Sequence, residues 1–169
     1  MQRLKQAGFN LIEVMIALVV LSIGLLGLAA LQVTSLQQNQ SAYLRSQATL
    51  FAYDITDRMR ANIDEVGNGS YFVTSGATNT ACINYSASAA GCTASVMASH
   101  DVAEWQAAIA AELPDGSGRV CRSDLNGDAV GAPNCEADNS NNPIVVYVWW
   151  NDEKNGAGAT TQFTVSVNP

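Results

Sequence analysis

The sequence predicts an α+β protein in which a long N-terminal α-helix packs on a small antiparallel β-sheet domain. Three observations lead there. The chain opens with an apolar run of membrane length, Val14 to Leu31. Helical periodicity continues beyond that run to about Ile63, with no Gly or Pro between Gln32 and Ile63. Near the C-terminus, "PIVVYVWW" and "TTQFTVSV" are dense in β-branched and aromatic residues, as strands are.

From Val14 to Leu31 only Ser22 is polar. At about 1.5 Å per residue, roughly 20 apolar residues cross the hydrocarbon of a bilayer. A cleaved secretory signal has a shorter apolar core and a small-residue cleavage site. Here the run is long, and "LAALQ" makes a poor site. A plain single-span anchor fits the length but leaves Glu13 unexplained. A carboxylate deep in a membrane costs about 2.5–3.5 kcal/mol on insertion scales, and less near the edge.

Beyond the run, Leu44, Ala48, Phe51, Ile55 and Met59 follow one another at steps of four, three, four and four. That is one apolar stripe of helical period. Gln40, Arg45, Gln47, Asp54 and Arg58 fall on the other face, expected in water. One helix is therefore expected from about Asn10 to Ile63. Gly24 and Gly27 lower helix propensity inside its apolar half, at up to about 1 kcal/mol each against Ala. Close helix packing and local unwinding both account for them.

Residues 64–98 show little pattern. "SYFVT" reads as a short strand and the remainder as Ser/Ala/Gly/Asn loop. "DVAEWQAAIAAELPDGSG" reads as a helix. Asp101 and Glu104 form a capping-box pattern at its start, and Val102, Trp105, Ile109 and Leu113 form its apolar face. Pro114 and the Gly-rich turn end it. "GRVCR" is a third strand candidate, and "NDEKNGAGA" suits a longer hairpin loop. Trp149 and Trp150 are adjacent in one strand, so they point to opposite faces. One is expected in the core, and the other either under a loop, the preferred reading, or at a partner contact.

The formal net charge of −7 does not suit binding to a nucleic-acid backbone. Cys82, Cys92, Cys121 and Cys135 are even in number and contain no C-x-x-C pair, which fits disulfides in an oxidising compartment. Of the three connectivities, neighbour pairing is favoured because both loops are short and polar. "DLNGDAVGAPNCE" resembles a calcium loop through Asp124, Asn126 and Asp128. An EF-hand would want Gly at 129 and Glu at 135, where this chain has Ala129 and Cys135, with Glu136 one residue late. The preferred reading is a polar loop closed by Cys121 and Cys135, and no cofactor is expected. His100 lacks a Cys or Asp partner motif, no nucleophile elbow surrounds any serine, and no phosphate-binding Gly loop is present. An enzyme is therefore not expected.

"MQRLKQAG" followed by "FNLIEV" resembles the class III signal of type IV pilins and pseudopilins. That pattern is a short basic leader ending in Gly, then Phe, a glutamate and a long apolar helix. The resemblance implies cleavage after Gly8 by a prepilin peptidase and N-methylation of Phe9, with the apolar helix retained. Glu13 would then meet the new Phe9 amine of a neighbouring subunit, since an ammonium among packed apolar helices needs an opposite charge. Further along, "LIEVMIALVVLSIGLLGLAALQ", "TDRMRAN" and "AEWQAAIAAELPDGSGRVCR" with "VVYVWW" resemble the PilV family of minor pilins, the type IV pilus modification proteins.

This likeness implies residues 1–8 as leader, 9–34 as the transmembrane or filament-core half-helix, and 35–169 as a globular pilin domain. It places the chain in the inner membrane before assembly, with its C-terminal domain periplasmic, and in the extracellular pilus afterwards. The expected role is to help start pilus assembly, in a tip or priming complex that supports twitching and adhesion. Expected partners are other minor pilins, the major pilin and a tip adhesin. A minor pseudopilin of type II secretion is the alternative, since the same N-terminal device would serve it. A membrane-anchored periplasmic enzyme would require a polar catalytic cluster that the sequence lacks. A DNA-uptake pilin fits poorly with the charge: losing Arg3 and Lys5 takes the basic count from 8 to 6 against 15 acidic residues, a formal −9.

Overall fold

The computed structural model describes residues 10–83, 91–126, 128–135, 141–152 and 160–169. Helix α1 spans Leu11–Ala61, 51 residues. Its first turn closes on the Asn10 carbonyl, which accepts from the Glu13 and Val14 amides at 3.0 and 3.4 Å. The Ser22 hydroxyl donates to the Leu18 carbonyl at 2.7 Å. The one polar side chain of the apolar run thus spends its proton inside the helix, as hydrocarbon surroundings require. Residues 10–40 are all exposed.

The chain divides into two units, Met1–Ala42 and Tyr43–Pro169. The division falls where burial begins, at Leu44. In the second unit α1 buries Leu44, Ala48, Ala52, Ile55, Thr56 and Met59, with Phe51 partly covered. Helix α1 stops at Ala61, and a turn at Asn62 leads into the short α2, Ile63–Gly67.

Helix α3 spans Ala94–Glu112. It starts earlier than the sequence pattern predicts. Its N-cap is Thr93, whose hydroxyl accepts from the Val96 amide at 3.4 Å. Asp101 and Glu104 therefore lie within the helix and do not form a capping box. Residues 94–100 contain no Gly or Pro to stop the helix from extending back to Thr93.

"SYFVT" forms no strand. Gly69 adopts φ +79°, and the Phe72 amide folds back on the Gly69 carbonyl at 2.9 Å. The turn buries the Tyr71 side chain, and the following backbone bonds to α3 side chains, so no ladder forms.

Three strands follow: β1 (Ser117–Arg122), β2 (Ile144–Asn151) and β3 (Thr160–Val167). They form an antiparallel sheet in the order β1–β2–β3, with Val120 opposite Val146 and Val148 opposite Phe163. Seven residues of the hairpin loop between β2 and β3, 153–159, lie outside the described residues. The period-two alternation of β2 sends Ile144, Val146, Val148 and Trp150 into one core with α1 and α3. Val145 and Tyr147 point the other way, joined by Cys121, Cys135 and Trp149.

Trp105, fully buried, is the centre of the larger core. Its indole N–H donates to the Phe51 carbonyl of α1 at 2.8 Å. Its ring lies over Gly118 of β1, where an added Cβ would meet Trp105 Cη2 at 2.5 Å and Ile109 Cδ1 at 2.7 Å. Overpacking a filled core costs about 1–3 kcal/mol. Gly118→Ala should lower stability by that amount in urea unfolding, whereas Gly67→Ala, where a Cβ meets nothing within 4 Å, should cost much less.

Candidate functional site

Gly8 and Phe9 lie outside the described residues. Glu13 stands in the first turn of α1 and is exposed. That turn is the positive end of the helix dipole, which favours a carboxylate even before any partner arrives. The α1 helix contains the one segment among the described residues long and apolar enough to cross a membrane.

The main electrostatic cluster lies in the second unit. Arg58 lies on the face of α1 opposite the apolar stripe. It is nonetheless partly covered, and its Nη1 binds Asp101 Oδ1 at 3.2 Å and Glu104 Oε2 at 3.0 Å, both on α3. Its Nε reaches Asp54 at 3.2 Å. The Tyr71 hydroxyl donates to the other oxygen of Asp101 at 2.9 Å. His100 is buried: its Nδ1 accepts from the Asn79 amide at 3.0 Å, and its Nε2 lies 3.2 Å from Glu104. Both ring nitrogens are thus committed, and the histidine ties the 77–83 segment to α3.

Burial opposes the Arg58 charge, but Glu104, Asp54 and Asp101 outweigh it and hold its pKa above the ordinary value. The Arg58 hydrogen bond holds the Glu104 carboxyl below the usual range, and burial pushes the Tyr71 hydroxyl well above its own. No local pattern announces the cluster, because its members are 43 and 46 residues apart.

Arg58→Ala would leave Asp101 buried beside Tyr71 without its cation, at a cost of roughly 1–3 kcal/mol. Tyr71→Phe should cost less, about 0.5–1.5 kcal/mol, since Asp101 keeps its Arg58 cation. The depressed Glu104 pKa contributes stability that is present above the ordinary glutamate value of 4.5 and is lost as pH falls below it. Thermal unfolding followed against pH should show this acid loss in the wild type and a shallower one in Arg58→Ala.

Disulfides join Cys82 to Cys92 and Cys121 to Cys135. The second closes a loop over the face of the sheet opposite the helices, where Trp149 packs beside Cys121, Val145 and Tyr147. The loop is tied down by side-chain bonds. Asp128 accepts from the Tyr147 hydroxyl at 2.6 Å and from the Asn134 amide at 2.7 Å. The Gly131 amide donates to Gln162 of β3 at 3.0 Å.

Asp124 spends both oxygens on Asn126, at 2.9 and 2.7 Å. Asp124 and Asn126 thus bond each other within the loop, while Asp128 ties the loop to Tyr147 of β2. No group of three His, Cys, Asp or Glu able to hold a metal occurs among the described residues. Burial first, then Asp128, pushes the Tyr147 hydroxyl up to about 12.

Removing the second disulfide with Cys121→Ala and Cys135→Ala together should cost about 2–4 kcal/mol, mainly by freeing the unfolded chain. Non-reducing peptide mapping checks the pairing, and a peptide joining Cys92 to Cys121 would contradict it. The raised Tyr147 pKa contributes stability that is lost as pH rises from the free-tyrosine value of 10 through about 12. Tyr147→Phe should reduce that alkaline loss.

Comparison with known families agrees with this arrangement. Residues 30–103 match the Tt1218-like family, described as type IV pilin Tt1218. Residues 3–29 match the prokaryotic N-terminal methylation motif. No curated protein and no solved structure matches the chain significantly. The long N-terminal helix with its three-stranded antiparallel sheet is an α+β architecture consistent with a type IV pilin fold.

The family match covers less than half of the chain's 169 residues and marks a likeness to type IV pilins. Residues 30–103 are similar to a type IV pilin family, and the segment before them carries the N-terminal methylation motif. That motif and the apolar run that follows it fit membrane anchoring through the helix.

Proposed function

We propose that this protein is a minor pilin of the PilV kind, not an enzyme, which helps initiate type IV pilus assembly and supports twitching and adhesion. Cleavage after Gly8 leaves Phe9 as a methylated N-terminus. The subunit waits in the inner membrane, its C-terminal domain periplasmic, and then enters the pilus, in a tip or priming complex with other minor pilins, the major pilin and a tip adhesin. The observation that carries this reading is the N-terminal stretch: a Gly-ended basic leader, Phe9, Glu13 and an apolar helix with no other charge up to Ala42. The distal "AEWQAAIAAELPDGSGRVCR" wording supports the PilV assignment over a type II secretion pseudopilin.

Glu13 is the residue on which the assembly mechanism turns. An amine among packed apolar helices needs a counter-charge, and the carboxylate of a neighbour supplies it. Glu13→Val makes the run more apolar, so membrane insertion should be equal or better. The unpaired amine should cost about 3–5 kcal/mol at docking. The variant should therefore accumulate processed in the inner membrane and be scarce in sheared pili, with Glu13→Asp intermediate.

Gly8→Val should leave the leader uncut, and the intact mass of the wild-type mature chain should begin at methylated Phe9. Entry of Glu13→Val into pili at the wild-type ratio to the major subunit would refute the charge pairing. A mature chain beginning near Gln32 would refute the pilin reading.

A further inference from the structure

The order β1–β2–β3 leaves two edges, and they are treated differently. The edge of β1 is met by a side chain of α3. Gln106 of α3 donates to the Gly118 carbonyl at 3.0 Å and to the Thr74 carbonyl at 2.9 Å, which ties the segment after Tyr71 alongside the strand. Phe72 in that segment packs under the Arg122 guanidinium, 5.5 Å from ring centroid to Cζ.

The outer edge of β3 has no backbone hydrogen-bond partner among the described residues. Exposed edges usually carry a charge, a proline or a bulge that prevents pairing with another chain. Thr160–Val167 carries no charged residue and no proline, and it pairs with β2 in unbroken register over all eight residues.

A cleft of about 280 Å³ lies between this strand and α1. Phe163, Val165 and Val167 form one wall; Thr49, Tyr53 and Arg60 belong to the other. Arg60 is the one charged lining residue, and Asp57 already neutralises it at 2.8 Å. Side chains entering the cleft would therefore be uncharged. Between Tyr43 and Pro169 the chain has six basic and fourteen acidic residues, a formal −8. Two copies brought edge to edge would repel one another, whereas a neutral or basic partner would not.

We propose that the β3 edge and its cleft receive an extended segment of a neutral or basic partner subunit, which adds a fourth strand to the sheet. Main-chain hydrogen bonds to β3 supply the attachment, and every second side chain of the segment enters the cleft. The partner's being another subunit of the same filament rests on the pilin reading above.

The test uses the full-length protein in its own cells. A photo-crosslinking residue is placed at Thr164 or at Ser166, both exposed and two apart on β3, and the linked peptides are read from sheared pili by mass spectrometry. A paired strand predicts that moving the probe from 164 to 166 moves the linked partner residue by two. A shift of three or four residues, an unchanged site, the absence of any linked peptide or a link to a second copy of this chain would each overturn the proposal.

Val165→Lys places a charge in the cleft and should lower the ratio of this subunit to the major pilin about tenfold, the effect of losing one strong anchor. Its unfolding temperature and N-terminal processing are checked alongside; if it does not fold, the crosslinking register decides. Val165→Lys folded and present at the wild-type ratio defeats the edge proposal alone. A wild-type chain absent from pili defeats the pilin reading.

Discussion

One face of α1, from Leu44 to Met59, has to be kept from water, and the arrangement of the second unit follows from covering it. A single helix cannot bury its own stripe. Three short strands present one apolar face to it, through Val120, Ile144, Val146, Val148 and Trp150. Helix α3 adds Val102, Trp105, Ile109 and Leu113. Trp105 sits where the elements meet: its ring lies on Gly118 of β1, and its N–H is bonded to the Phe51 carbonyl of α1. A buried indole with a satisfied N–H contributes large apolar area without an orphaned donor.

Apolar burial is non-directional, so it does not by itself set how α3 lies against α1. The Arg58 cluster supplies direction. One guanidinium bonds two carboxylates a helical turn apart on α3, and Tyr71 fixes the remaining oxygen of Asp101. Pairs of this kind contribute little net stability against an apolar alternative, but half of one is costly. The cluster therefore penalises other placements of α3 more than it strengthens this one. His100 and the loop closed by Cys82 and Cys92 hold the chain between α2 and α3 by the same logic, using bonds where apolar area is scarce.

The first unit obeys the opposite rule. Residues 10–40 are exposed along the whole helix, and the side chains from Val14 to Leu31 are almost all apolar. Such a surface is stable only in lipid or among other apolar helices. The same chain thus holds a helix that needs external partners and a domain that is largely satisfied internally. That combination fits a chain anchored through its N-terminal helix.

The sequence by itself determined what depends on neighbours in the chain. The helical stripe, the apolar run, the three strands and the buried face of α3 are all periodic, and periodicity survives without tertiary contacts. The N-terminal motif, with Gly8, Phe9 and Glu13, is also contiguous and legible as written. Only the tertiary structure decided the rest. It moved the start of α3 to Thr93, turned "SYFVT" into a turn that buries Tyr71, and drew Arg58 from the expected solvent face into a cluster with Asp101 and Glu104. It bonded Asp124 to Asn126 and Asp128 to Tyr147 of β2, and left the outer edge of β3 without a backbone partner among the described residues. The Arg58 cluster, the burial of Tyr71 and the contacts of Asp128 depend on groups distant in sequence meeting in space, whereas the Thr93 cap and the Asp124–Asn126 bonds are local but compete with other local patterns. A charged or aromatic side chain carries no local sign of which distant partner will satisfy it.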